Sequence, residues 1–295
     1  MFANFLDIVI TGLILGGIYA LVAVGLNLQY GVGRVLNVAH GEFIMLGAFL
    51  TFSLFTQFNV NPLLALLIIG PGLFLIGYVV HQILFQYLRS TSITTDIFSG
   101  RSLLVSFGLL FVTQNIMLIV WGADLRQYTY LNNSISIFGT RYAMNRIVAL
   151  IFAVGISVGF YLFINRSRLG KAIRAAAEDA EMANIVGVNI RQVLGICFGL
   201  GAMLAGMAGM LISLMFQLQA SRGLEYTVIA IVVVVFGGLG SINGSLIGGF
   251  ILGLVISFVN FLDPSLSLIA FYAIFMLLLI VRPSGILGRR AHAGR

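Results

Sequence analysis

Apolar stretches long enough to cross a bilayer recur along the chain, near residues 5–30, 41–58, 62–86, 102–121, 146–164 and 192–217, and again through a crowded region from 226 to 281. A hydrocarbon core of about 30 Å takes roughly 20 helical residues to span, and unbroken runs of that length are unlike the short alternating segments of a barrel. With 60% hydrophobic and 8% charged residues and a mean hydropathy of +1.09, the chain has too little polar surface to clothe a water-soluble globule. The expected fold is an all-α polytopic membrane protein: a single transmembrane domain over 1–295, a bundle of about 8 to 9 helices with one broken or re-entrant segment. The first run has no Lys or Arg before Arg34 and is too long for a signal peptide, so it is expected to be retained as a span with nothing ahead of it.

Charge is concentrated rather than spread. Residues 165–191 hold five of the sixteen basic residues (Arg166, Arg168, Lys171, Arg174, Arg191) and three of the nine acids (Glu178, Asp179, Glu181). Alanine at 172, 175, 176, 177, 180 and 183, with no internal Gly or Pro, predicts one short helix over 171–186, stopped by Gly187 and followed by Val188 and Asn189. Such a segment is either a docking surface for a soluble partner or a solvated, lipid-hugging connector, and composition does not choose between them. If this loop and the tail carrying Arg282, Arg289, Arg290 and Arg295 are both cytoplasmic, an even number of crossings separates them. Four fit: 192–217, a short 226–239, 244–262 and 265–281. Counting back places the N-terminus outside and twelve of the sixteen basic residues in the cytoplasm. The net charge of +7 therefore points to anionic lipid headgroups, not nucleic acid, because the basic residues sit in loops without interleaved aromatics. The one cysteine, Cys197, has no intrachain partner and reads as helix filling.

The stretch 226–262 is interrupted by Gly237, Gly238, Gly240 and Gly244. Two readings stand: a broken or re-entrant helix lining a passage, or a tight turn between two helices. Small residues at helix-packing spacing (Gly12 and Gly16, Gly195 and Gly199, Ala202 and Gly206, Ala205 and Gly209, Gly249 and Gly253) predict close helix approach.

The sequence argues against an enzyme. Ionisable groups near the spans are few (His40, Glu42, His81, Glu225), and no HExxH, CxxC or nucleophile motif is present. His40 and Glu42 lie two apart, on different sides of a helix, which favours a structural or loop-ordering role over catalysis or metal binding. Gly170 and Lys171 are followed by Ala172 and lack the upstream glycine of a phosphate loop, so the chain itself does not hydrolyse nucleotide. The span interiors carry neutral polar groups, Asn27, Gln29, Gln114, Asn115 and Asn260, suited to lining a passage for a polar solute. Energy then comes from elsewhere, or the passage is passive.

Four segments carry a specific resemblance: GLNLQYGVGRVLNVAHGEFIMLG at 25–47, LGKAIRAAAEDAEMANIVGVN at 169–189, FGGLGSINGSLIGG at 236–249 and VRPSGILG at 281–288. In that order, over nearly the full length, they resemble the permease subunits of branched-chain amino acid type ABC importers, in their shorter, LivH-type form. The resemblance implies a single permease domain in the bacterial inner membrane, paired with a second homologous permease, two cytoplasmic ATP-binding subunits that bind the ATP, and a periplasmic solute-binding protein. It implies no cofactor or metal in the chain itself. It also implies that 165–191 is a cytoplasmic coupling loop, with AEDAEMANIVG at 177–187 similar to the coupling pattern and Glu178, Asp179, Glu181 and Gly187 as coupling residues. Asn27, Asn37, His40, Glu42, Gly237, Gly238 and Gly240 fall in the motifs expected along the translocation path. One departure is the aliphatic run IAIVVVV before Phe236, where many relatives place a lysine and small residues, and it leaves branched-chain amino acids, urea and short amides all open as solutes. A passive facilitator for a small neutral solute is the alternative from another class.

Overall fold

The computed structural model describes residues 2–137, 140–282 and 284–287. Arg289, Arg290 and Arg295, on which part of the charge argument rests, lie outside them. Among the described residues nine helices are long and apolar enough to span a membrane, the two longest being Phe5–Gly33 and Pro62–Thr91. In full, the first helix, α1, is Phe2–Gly33, followed by α2 (His40–Phe58) and α3 (Pro62–Val80). A π-turn at His81–Phe85 carries α3 into α4 (Gln86–Thr91), and α5 is Thr95–Trp121. A hairpin of β1 (Ser134–Ile137) and β2 (Thr140–Ala143) precedes α6 (Met144–Arg166). Then come α7 (Arg168–Glu178), α8 (Ala180–Ile185), α9 (Ile190–Ser213), α10 (Gly223–Gly237), α11 (Ile242–Leu262) and α12 (Ser267–Val281).

Helix ends follow side-chain caps more than hydropathy. Asn61 accepts from Leu63 N with Pro62 at the first helical position, and Asn189 accepts from Gln192 N. α5 begins seven residues before the expected 102 because Thr94 caps it through Ile97 N, so its first two turns are polar and invisible to an apolar count. α9 stops at Ser213 instead of 217, and the chain continues irregularly into α10, with Arg126 and Leu218 exchanging backbone hydrogen bonds of 2.8 and 2.9 Å. At that same end the Tyr128 hydroxyl bonds Ser213 Oγ at 2.8 Å, and burial pushes its pKa up to about 12.

The small-residue pairs are contact surfaces. Gly12, Gly16, Gly249 and Gly253 let α1 and α11 run antiparallel with their backbones in contact, closed at one end by Ser257 Oγ donating to Ile8 O at 2.8 Å. α9 is the hub of the bundle: Gly195 and Gly199 lie against Tyr78 and Phe74 of α3, and Gly206 and Gly209 against α2 and α3. α5 and α12 leave most of their surface to the bilayer, and Asn115 of α5 and Asn260 of α11 both lie on outward, exposed faces. Asn115 satisfies its amide on Phe111 O at 2.8 Å, one turn back, so these two side chains line the outside of the bundle.

The chain's deepest irregularity falls between α1 and α2. After Gly33, whose carbonyl accepts from the Arg89 guanidinium at 2.7 Å, residues 34–39 turn back into the bundle. The His40 ring lies against Gly25 and its Nε2 donates to Val22 O at 3.0 Å. Val22 precedes Gly33 by eleven residues, about 16 Å along a helix axis, so α2 starts near half depth. By contrast, the glycines of 226–262 resolve to the tight-turn reading: α10 and α11 are separate helices joined at residues 238–241, with Gly238 (φ 110°) and Gly240 (φ 82°) in conformations open chiefly to glycine.

Candidate functional site

Backbone at membrane depth must find partners within the protein, and the returning segment does so through side chains. Asn37 Nδ2 donates to Gln29 Oε1 at 3.1 Å, Gln29 Nε2 donates to Phe198 O at 3.2 Å, and Asn37 Oδ1 accepts from Ala39 N at 3.1 Å. The first turn of α2 then meets the first turn of α10. Gly41 N donates to Thr227 Oγ1 at 2.8 Å, and Thr227 Oγ1 donates onward to Val38 O at 2.8 Å. His40 and Glu42 are both fully buried here but point apart, His40 to α1 and Glu42 to Gly223, the first residue of α10. Thr227 joins them at this junction; nothing in the linear sequence marks it, because its partners lie more than 180 residues away.

Asn27 sits one element away and is fully engaged. Its Nδ2 donates to Ser241 O (2.8 Å), to Ser245 Oγ (2.7 Å) and, at 3.4 Å, to Gly238 O, while Oδ1 accepts from Gly240 N at 2.7 Å. One amide therefore clamps the whole α10–α11 turn onto α1. Gly31 packs on Gly240 in the same region, and the tail closes it from the other side, with Ile286 N donating to Phe236 O (2.9 Å) and Leu287 N to Gly237 O (3.0 Å). Asn27, Gly238 and Gly240 are thus together, whereas Asn37, His40 and Glu42 form the separate α2–α10 junction.

The clamped turn faces a cleft of about 670 Å³ whose opposite wall is α7, with Asn27, Gly240 and Ser241 on one side and Ile173, Arg174 and Glu178 on the other. Ser167 caps α7 through Gly170 N at 2.8 Å, and Ile173 and Ala176 bury its inner face. The single helix expected over 171–186 is two: at Asp179 the backbone is extended (φ −151°, ψ 106°), and Oδ1 accepts from Glu181 N (2.9 Å) and Met182 N (3.0 Å). An aspartate that can cap a new helix overrides the alanine propensity around it. Replacing Asp179 with Ala removes that cap and is expected to straighten the joint, at a cost of about 1 kcal/mol, read as increased helical protection from hydrogen exchange at 178–180.

Beyond the joint, α8 buries only Ala183 and turns Met182, Ile185 and Val186 outward, at 62, 77 and 78% exposure, before Gly187 (φ 90°) ends it. Of the four coupling residues expected from the sequence, Glu178 faces the cleft, Asp179 is the cap, Glu181 flanks the exposed face and Gly187 is the stop. Charge alone does not mark the apolar trio, although its i, i+3, i+4 spacing in EMANIV is a legible helix face.

Comparison with known proteins gives one consistent answer. Residues 8–281 match the family described as the permease component of the branched-chain amino acid transport system. The chain is 31% identical to the high-affinity branched-chain amino acid transport system permease protein BraD of Pseudomonas aeruginosa over 97% of its length and 96% of the relative's. It is 29% identical to the corresponding protein LivH of Salmonella typhimurium (98% and 97% covered) and 26% identical to a probable LivH of Methanocaldococcus jannaschii (84% and 79%). No solved structure matches.

Proposed function

The chain belongs to the permease-component family of branched-chain amino acid transport systems, and we propose that it is the membrane-spanning subunit of an ATP-driven importer for branched-chain or similar aliphatic amino acids. In this reading it pairs with a second, homologous permease, docks two ATP-binding subunits and receives solute from a periplasmic binding protein. It lies in the bacterial inner membrane with its N-terminus outside and its C-terminus in the cytoplasm, an orientation supported by the twelve basic residues that nine crossings then place inside.

The observation that carries the reading is the division of labour across Asp179. α7 is packed on the bundle and shares a cleft with the clamped α10–α11 turn, while α8 holds an apolar face with an acidic edge out toward water. Three adjacent aliphatic side chains left exposed outside the membrane spans suit a groove on a soluble partner, and the joint passes the motion of that partner to α7. Nucleotide-driven displacement of α8 would then reach the turn between α10 and α11 across the cleft.

The test is co-purification of the ATP-binding subunits with wild type and with an Ile185→Asp, Val186→Asp variant. Loss of two anchors worth about 2 kcal/mol or more in total weakens association at least roughly thirtyfold while membrane insertion is unchanged. A Glu178→Arg, Glu181→Arg variant tests the acids in parallel. Full association by the aspartate variant would remove α8 as the docking element, and uptake without nucleotide would favour a passive facilitator.

A further inference from the structure

We propose that Glu42 receives the ammonium group of a zwitterionic solute where the first turns of α2 and α10 meet, an inference that rests on the reading of the chain as an amino acid permease. Glu42 is 0% exposed, neither of its carboxylate oxygens has a hydrogen-bond partner, and no described cation forms an ion pair with it. An ionised carboxylate in that condition costs several kcal/mol, and intramembrane acids that persist at such cost mark solute or ion sites.

Structural duties that would explain it are taken by other groups. The two helices are stitched by Thr227, through Gly41 N and Val38 O, not by Glu42. Glu42 forms no hydrogen bond to the first-turn amides of α10, so it is not that helix's cap. Its carboxylate instead lies directly on Gly223, where any added side chain would overlap it. The glycine keeps open the space at the head of α10 that the acid reaches into.

The chemistry of the ligand follows from what is unmet. Two acceptor oxygens without donors call for a cation with several N–H groups, and a primary ammonium supplies three. The first turns of α2 and α10 both present the positive ends of helix dipoles, which suit the carboxylate of the same solute. A zwitterion of α-amino acid size satisfies both halves when the junction parts. Urea or a simple amide supplies no cation and leaves Glu42 uncompensated, so the site selects amino acids over those alternatives.

The experiment is leucine uptake by the full complex, permease pair, ATP-binding subunits and binding protein, in proteoliposomes. Glu42→Gln is expected to lower leucine uptake at least a hundredfold with assembly unchanged, and uptake within threefold of wild type overturns the proposal. Should Glu42→Gln fail to assemble, Glu42→Asp replaces it: keeping the charge but withdrawing it by one methylene, it raises the half-saturating leucine concentration at least tenfold, and an unchanged value overturns the proposal equally. A wild-type complex that moves urea or an amide but no amino acid sinks the assignment of solute together with this site. Leucine uptake by wild type with an indifferent variant sinks Glu42 alone.

Discussion

Asn27→Leu is expected to uncouple the protein: ATP hydrolysis continues while solute uptake falls by about two orders of magnitude, and the detergent melting midpoint drops by roughly 10 °C. Leucine has the branched shape of asparagine and a larger volume, so no void forms; what disappears is the set of four hydrogen bonds with Gly238 O, Ser241 O, Ser245 Oγ and Gly240 N. Interhelical hydrogen bonds of this kind in membranes average about 0.6 kcal/mol each, and leaving buried backbone groups without partners adds about 1–3 kcal/mol, for a total of about 3–5 kcal/mol. The loss is concentrated where α7 and the α10–α11 turn share a cleft, so a looser turn no longer follows α7. Asn27→Asp is expected to be worse than Asn27→Leu, because it keeps the Gly240 contact but aims a negative charge at two carbonyl oxygens. Measuring solute moved per ATP hydrolysed, beside a thermal melt, separates the two effects; a variant with wild-type stoichiometry would show that the clamp is dispensable for coupling.

A second large effect is expected at Gly209. A Cβ there would overlap the carbonyl oxygen of Ile44 and come within 3.0 Å of Ala48 N, so the obstacle is the backbone of α2, which cannot rotate aside. Gly209→Val therefore forces α9 and α2 apart, and because α9 also packs on α1 and α3 no direction of retreat is open. A cost above about 3 kcal/mol follows, enough to remove most folded protein from the membrane. Gly159 of α6 is the internal comparison: nothing lies within 4 Å of an added methyl group, so Gly159→Ala is expected to be neutral or to stabilise by up to about 1 kcal/mol. Yield of monodisperse protein after detergent extraction distinguishes them, and comparable yields for the two variants would contradict the packing argument.

The contrast between these glycines shows what the sequence could and could not reveal. The number of spans is legible because hydropathy reports length directly, and the spacing of Gly12 with Gly16 and of Gly249 with Gly253 marks close-packing faces, although not that these two faces meet each other. Direction was not legible. Asn115 and Asn260 look like Asn27 in a sequence, yet they face outward while Asn27 is buried among the backbone groups of a turn more than 200 residues away. Depth was hidden too: Val35, Leu36, Val38 and Ala39 read as an ordinary connector, and only their contacts with α5, α9 and α10 reveal that the connector turns back into the bundle. At Asp179 the summed preference of six alanines outweighed a single capping side chain, which in the folded chain decides the geometry.

The half-depth start of α2 also places the protein's chemistry within the membrane voltage. A charge crossing the full bilayer exchanges about 2.3 kcal/mol with a potential of 100 mV. Glu42, about half a bilayer from the end of α1, sits where roughly half of that difference is felt. A rearrangement that carried an ionised Glu42 along the membrane normal would move charge through the field, so the energised membrane would then bias which way this junction stands.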